Sequence, residues 1–321
     1  MLTAVLGLTG ALIFGSADFL GGLAAKRISS VLATAVAATS GLVALLLFLP
    51  FVGGAWSAEA VLWGAASGVS GAIAISLLYA CLAIGPMSIL SPLTAVVSAV
   101  VPATVGLAGG DRLAPIGYWA LGLALLAVVL VGFVPERGAV RPSLIGVLMA
   151  LGSGAMIGAF MIMIDLTPED SGLVPLVLNR AVNGSIMFAV VGLLALVALR
   201  RRRALTVAGT LPATTGEAGA DAIANASADT QTNADATSHR RSTLFIGLRL
   251  AAACGVVDVV ANFLLLLGIR AGDLSVMSVL TAMYPAGTIL LAAVVLRERI
   301  APVQWLGLAL ALAAAGMLAL A

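Results

Sequence analysis

Apolar side chains run through this chain in long unbroken blocks, with no sustained alternation between apolar and polar positions. The blocks cover residues 2–25, 31–52, 61–84, 87–109 and 115–134, then 144–165, 173–199, 244–269, 274–296 and 303–321. Each is close to the ~20 residues with which an α-helix crosses a bilayer. The pattern predicts ten transmembrane helices, and an even count leaves both termini on one side. Some connections are very short: Gly85-Pro86 joins the third and fourth blocks, and Arg270 to Asp273 joins the eighth and ninth. Turns of that length force antiparallel neighbours.

Composition narrows the class. The 321 residues are 62% hydrophobic and 9% charged, where soluble domains average about 45–50% apolar and about 25% charged. So few charges cannot clothe this much apolar surface in water, so lipid must solvate most of it. The period excludes a strand-built barrel. The chain is expected to be an all-α integral membrane protein. The stretch 2–25 is too long for a signal-peptide core and contains Asp18, so it reads as a retained first helix. One segment, 204–239, differs: it is rich in Ala, Thr, Asp, Asn, Ser and Gly, and too poor in large apolar side chains to offset its ordering entropy, which predicts disorder. It is flanked by Arg200–Arg203 and Arg240-Arg241, which read as an anchor at a membrane edge.

The two halves align. At one constant offset Gly85 falls on Gly272, Ser88 on Ser275, Ser91 on Ser278, Leu93-Thr94-Ala95 on Leu280-Thr281-Ala282, Arg112 on Arg299 and Ala114-Pro115 on Ala301-Pro302. A weaker match pairs Gly7 with Gly146 and Gly15 with Gly154. Self-similarity of this kind marks a duplicated unit. The boundaries are 1–138 and 139–321, with 204–239 as an insert. Each unit holds five helices, and an odd number makes the second enter the membrane from the opposite side. The expected plan is a 5+5 inverted-topology repeat. Transporters built this way bind solute near the midplane and alternate access around it.

Three stretches carry a resemblance to a known family: Phe14-Gly15-Ser16-Ala17-Asp18-Phe19-Leu20-Gly21-Gly22, Leu280-Thr281-Ala282-Met283-Tyr284-Pro285, and Arg297-Glu298-Arg299-Ile300 followed by Gln304-Trp305-Leu306-Gly307. The first half repeats the last joint as Asp111-Arg112-Leu113. These stretches resemble the EamA-type transporters of the drug/metabolite transporter superfamily. The resemblance implies ten helices and export or exchange of metabolites, amino acids or drugs, often coupled to protons. It says little about which solute.

Candidate residues follow from the cost of polarity in lipid. A charge at a helix centre costs about 2.5–3.5 kcal/mol on insertion scales, so it should face water or a partner. Asp18 sits in the first helix; as proton carrier or solute contact it would need a wet cavity, and as a structural counter-ion a partner. Asp258 is central in the eighth helix, with Asn262 one turn on. Arg180, between Asn179 and Asn183, either pairs with an aspartate or grips a solute carboxylate. Ser88, Ser91, Thr94 and Ser98 form a stripe on the fourth helix, and Ser275, Ser278, Thr281 and Thr288 form its repeat-equivalent on the ninth. The stripes suit two walls of a path, or interhelical hydrogen bonds. Tyr79 and Tyr284 either reach the cavity with their hydroxyls or pack as aromatics. Pro92, Pro102 and Pro285 invite kinks.

Other classes find little support. The only histidine, His239, lies in the polar insert, and Cys81 and Cys254 read as small buried hydrophobes. No metal-ligand cluster and no phosphate-cradling loop occur in the sequence, so no metal, cofactor or enzyme chemistry is expected. A net charge of +2 gives no basis for binding nucleic acid. The expected function is a secondary transporter in the cytoplasmic membrane, with a small-molecule solute, lipid and protons as partners and a homodimer left open. A passive channel or a non-transporting membrane subunit is the alternative. Lys26, Arg27, Arg137, Arg141, Arg200–Arg203, Arg240, Arg241, Arg297 and Arg299 all lie on the side opposite the N-terminus, which by the positive-inside rule puts both termini outside. The family resemblance implies termini inside.

Overall fold

The computed structural model describes residues 2–84, 87–132, 143–208, 221–297 and 300–320, with side chains except at 79, 82–83, 87–88, 91, 201–241 and 319–320. Among these residues there is no strand. The helices are α1 (Leu2–Ala25), α2 (Ser30–Val52), α3 (Ala58–Ile84), α4 (Met87–Gly109), α5 (Pro115–Gly132), α6 (Leu144–Asp165), α7 (Val174–Ala208), α8 (Asp221–Ala271), α9 (Leu274–Thr281), α10 (Tyr284–Val295) and α11 (Pro302–Leu320). Among the described residues nine segments are long and apolar enough to cross a membrane, α9 and α10 counting together as Leu274–Val295. The tenth, α11, is a shorter apolar helix. In α7 and α8 the membrane-length parts are Val174–Arg200 and Ser242–Ala271. Of the insert, residues 209–220 lie outside the described part. The rest continues α7 and α8 as helix where composition predicts disorder; its many alanines have the highest helix propensity of any residue.

Local signals set the helix starts. The hydroxyl oxygens of Ser29, Ser57 and Ser143 accept from the backbone N–H of Leu32, Ala60 and Gly146 at 3.3, 3.0 and 3.1 Å. Each satisfies an amide that the first turn leaves without a helical partner. Large apolar side chains point outward along the bundle, with Phe48, Phe51, Trp119 and Leu193 between 59% and 86% exposed. Such a surface is stable only against lipid.

Small residues decide which helices touch. The extensive pairings are α1 with α8, α3 with α6, α1 with α9 and α10, α4 with α6, α2 with α8, α3 with α7, α2 with α7, α4 with α9 and α5 with α11. Gly15 seats α1 directly on the backbone of α10: a Cβ there would meet the Tyr284 carbonyl oxygen and would lie 2.6 Å from the Thr288 nitrogen. Gly154 does the same for α6 on α4, its Cβ falling 2.6 Å from the Thr94 carbonyl oxygen. Without a hydrophobic force between helices in lipid, this close backbone approach supplies much of the packing energy.

The ninth span is broken. A proline has no N–H and its ring collides with the carbonyl four residues back. For Pro285 that carbonyl belongs to Thr281, the last residue of α9. The chain crosses the gap with tighter bonds, Met283 N–H to the Leu280 carbonyl at 3.1 Å and Ala286 N–H to the Met283 carbonyl at 2.9 Å. The kinks invited by Pro92 and Pro102 do not become breaks, since α4 runs through both. Neighbouring helices re-satisfy a freed carbonyl in such cases.

Gly15→Val should lower stability by about 1–3 kcal/mol through overpacking. Gly22→Ala, whose Cβ would meet nothing within 4 Å, should change it little. Thermal unfolding of the purified protein in lipid nanodiscs measures both.

Candidate functional site

The face carrying the N-terminus is here the terminal face, and the opposite one the insert face. A cavity of about 300 Å³ opens in the bundle; Asp18, Arg180, Asn183, Cys254, Asp258 and Tyr284 supply its polar wall, with Thr34, whose hydroxyl donates to the Ser30 carbonyl at 3.0 Å. It extends to Ala25 at the end of α1 and Ala33 at the start of α2, which lie toward the insert face. Ile75, Leu78, glycines and alanines make up most of the rest.

The polar groups are held by different means. Arg180 on α7 donates from Nη2 to Asp258 Oδ2 on α8 as an ion pair. The side chains are 15% and 24% exposed. Asn262, one turn along α8, donates from Nδ2 to the same Oδ2 at 3.0 Å and to the Asp258 carbonyl at 2.8 Å. Asn262 is itself buried and does not line the cavity. Asn179 donates to the Ser67 hydroxyl at 3.0 Å and ties α7 to α3. Asp18 is exposed to the cavity. Among the described residues no side chain pairs with it. Asn183 is 4% exposed, and its Oδ1 has no hydrogen-bond partner. Tyr284, at the start of α10, brings its ring to the cavity wall beside the helix break.

Other expected site residues lie elsewhere. The Thr94 hydroxyl donates to the Leu90 carbonyl at 3.0 Å and the Ala150 carbonyl at 3.2 Å, holding α4 to α6. Ser278 donates to the Ser275 carbonyl at 2.9 Å within α9. Thr281 Oγ1 is buried beside the break without a partner. None of the three lines the cavity. The Thr94 and Ser278 hydroxyls bond carbonyls about a turn back, as hydroxyls in apolar helices readily do, whereas Thr281 has no such bond. The side chains of Tyr79 and Ser91 lie outside the described residues. Three polar lining residues, Thr34, Asn183 and Cys254, were not singled out from sequence as site residues. Asn183 stands three residues after Arg180, and Cys254 four before Asp258. Those spacings place each on the helix face of its charged neighbour. Cys254 is accordingly half-buried at the wall, unlike the fully buried Cys81.

The terminal face is closed by polar links between connections. Asp111, after α4, accepts from the Ser275 N–H at the start of α9, 3.0 Å away. Arg270 donates to the Pro168 carbonyl at 3.2 Å and the Ser171 hydroxyl at 2.9 Å. Ala55 N–H bonds the Asp170 carbonyl at 2.9 Å and Leu173 N–H the Gly53 carbonyl at 3.2 Å. Gly53 and Gly172 adopt φ of 75° and 51° where these loops meet. Asp273, in the loop before α9, has its carboxyl pushed above the ordinary value of 3.8 by burial and by the nearby Asp111.

A bundle of apolar helices of this length around a partly polar cavity is that of a multi-pass membrane protein. Residues 235–320 match the EamA-like transporter family, which belongs to the drug/metabolite transporter superfamily. The match covers 86 of the 321 residues, and it is this part of the chain that is similar to the EamA-like transporters. No curated protein sequence matches the chain. A crystal structure superposes over 99% of this chain and 96% of its own, with a TM-score of 0.66 at 14% identity. That likeness is one of fold.

Removing Asp258 alone, as Asp258→Ala, strands the Arg180 charge and should cost about 3–5 kcal/mol. The double variant Arg180→Met/Asp258→Leu should recover most of that loss in the same unfolding measurement. At Asp273 the raised value means that the charged form is disfavoured in the folded protein. Its penalty is fully present above the raised pKa and disappears below 3.8. Asp273→Asn should therefore raise the melting temperature at pH 7, with the gain shrinking as pH falls toward 4.

Proposed function

We propose that the protein is a secondary transporter which moves small solutes across the cytoplasmic membrane by alternating access, with protonation of Asp18 coupled to solute movement. The observation that carries this reading is the cavity, which reaches toward one face, contains an unpaired carboxylate, and is separated from the other face by the bonded loops around Asp111 and Arg270. A carboxylate in the body of a membrane helix is tolerated where it meets water, and it exchanges protons there.

The packing scheme supports the inverted repeat. The matches found in sequence exchange α1 with α6, α4 with the α9–α10 pair and α5 with α11, and chain order then exchanges α2 with α7 and α3 with α8. Under that exchange the extensive helix pairings map onto themselves: α1 with α8 becomes α6 with α3, α2 with α8 becomes α7 with α3, and α1 with α9 and α10 becomes α6 with α4. Two equivalent halves offer two conformations of similar energy, which rocking transport requires. The basic side chains near the insert face favour its cytoplasmic placement. On that placement this conformation faces the cytoplasm.

Proteoliposomes with an imposed pH gradient test the coupling. Uptake from a panel of amines, amino acids and organic ions should depend on the gradient in the native chain. Asp18→Asn should remove that dependence while folded yield is kept, and Asp18→Glu should retain part of it. Gradient-driven flux undiminished in Asp18→Asn would rule out the carrier role.

A further inference from the structure

We infer that the solute held in this cavity is a small primary ammonium compound, a monocation with N–H donors, an apolar body and no carboxylate. The inference rests on the transporter reading for its biological meaning, but its evidence is the charge and hydrogen-bond inventory of the wall.

Charge comes first. The guanidinium of Arg180 is matched by Asp258, and Asn262 completes the hydrogen bonding of the same carboxylate oxygen. That leaves Asp18 as the uncancelled charge among the described lining residues. A solute that sheds its water beside an uncancelled carboxylate must bring positive charge to be stable there. An anion would double the excess. A zwitterion would leave it unchanged, even if its carboxylate found a free N–H of Arg180.

Hydrogen bonding selects among cations. Asn183 is buried and lines the cavity, and its Oδ1 has no partner. A buried carbonyl oxygen without a donor is a standing penalty, which an occupant with N–H groups removes. Both unfilled groups, the Asp18 carboxylate and the Asn183 oxygen, are acceptors. A primary ammonium offers three donors and one positive charge, whereas a quaternary ammonium offers only the charge. The remainder of the wall, Ile75, Leu78, small residues and the Tyr284 ring, suits an apolar body and a cation beside an aromatic face. The exposed Lys26 and Arg27 beyond the rim of the cavity carry the opposite sign, but charges in water beyond about 8 Å are screened at physiological salt.

A series on one carbon frame tests this with the full chain in lipid nanodiscs at neutral pH. Binding is followed by calorimetry and by the shift in melting temperature. The probes are phenethylammonium, N-acetylphenethylamine, N,N,N-trimethylphenethylammonium, 3-phenylpropanoate and phenylalanine. Phenethylammonium should bind about tenfold or more tightly than each of the other four, as a charge-assisted hydrogen bond implies. Asp18→Asn should erase its advantage over the neutral amide. Asn183→Ala should erase its advantage over the trimethyl compound. Phenylalanine or 3-phenylpropanoate binding as tightly as phenethylammonium, or no binding by any of the series, overturns the inference without recourse to a variant. Flux into proteoliposomes separates this from the transporter reading. Binding of phenethylammonium with no flux keeps the cation site and defeats transport, whereas flux of the anion in preference to the cation does the reverse.

Discussion

Ionic side chains inside a lipid-solvated bundle govern much of this architecture. Arg180 is largely buried at the cavity wall, where a carboxylate at contact distance stabilises its charge. Asp258 supplies it from the neighbouring span, and Asn262 holds the carboxylate in place. The pair links α7 to α8, which are not among the extensively packed helix pairs. Desolvation makes such a pair costly to keep and more costly to break. With that pair satisfied, the unpaired Asp18 gives the cavity its chemical character.

Close backbone approach and the polar wall are complementary. Gly15 brings α1 onto α10 at Tyr284, and Asp18 stands one turn further along α1, at the cavity. Thus one helix packs tightly in one turn and faces water in the next. The two ends of the bundle also differ. Loops bonded through Asp111, Arg270 and the Gly53–Leu173 contact seal the terminal face, while the cavity extends toward the other.

How much of this could be read from the chain depended on how costly each feature is in lipid. The ten apolar blocks all become helices, nine of them among the described residues long and apolar enough to span, because a helix hides the backbone within its own segment. Asp18, Arg180, Asp258 and Tyr284 could be picked out as candidates and meet in one cavity. For the three ionic ones the reason is plain: a charge in an apolar run always needs a special environment. Hydroxyls do not: Thr94 and Ser278 satisfy themselves on carbonyls of their own or the adjoining helix. Their matched spacing between halves therefore did not distinguish a path from a packing seam. Asn183 and Cys254 were readable only through their spacing from Arg180 and Asp258. The prolines show a similar limit. Pro285 ends a helix at Thr281 while Pro92 and Pro102 do not end α4, and nothing local separates the three cases. The bond from Ser275 to Asp111 joins residues 164 positions apart, and neither sequence neighbourhood announces the other.

The ion pair also bears on how the protein is made. Arg180 and Asp258 are 78 residues apart, and the polar insert lies between them. At about 5–20 residues per second, the arginine leaves the ribosome roughly 4–16 s before its counter-ion. Through that interval α7 carries a cation that the bilayer does not accept. It must wait beside the insertion machinery or sit shallowly until α8 arrives. The length of the insert thus sets a delay in biogenesis, and shortening it would bring the two helices together sooner.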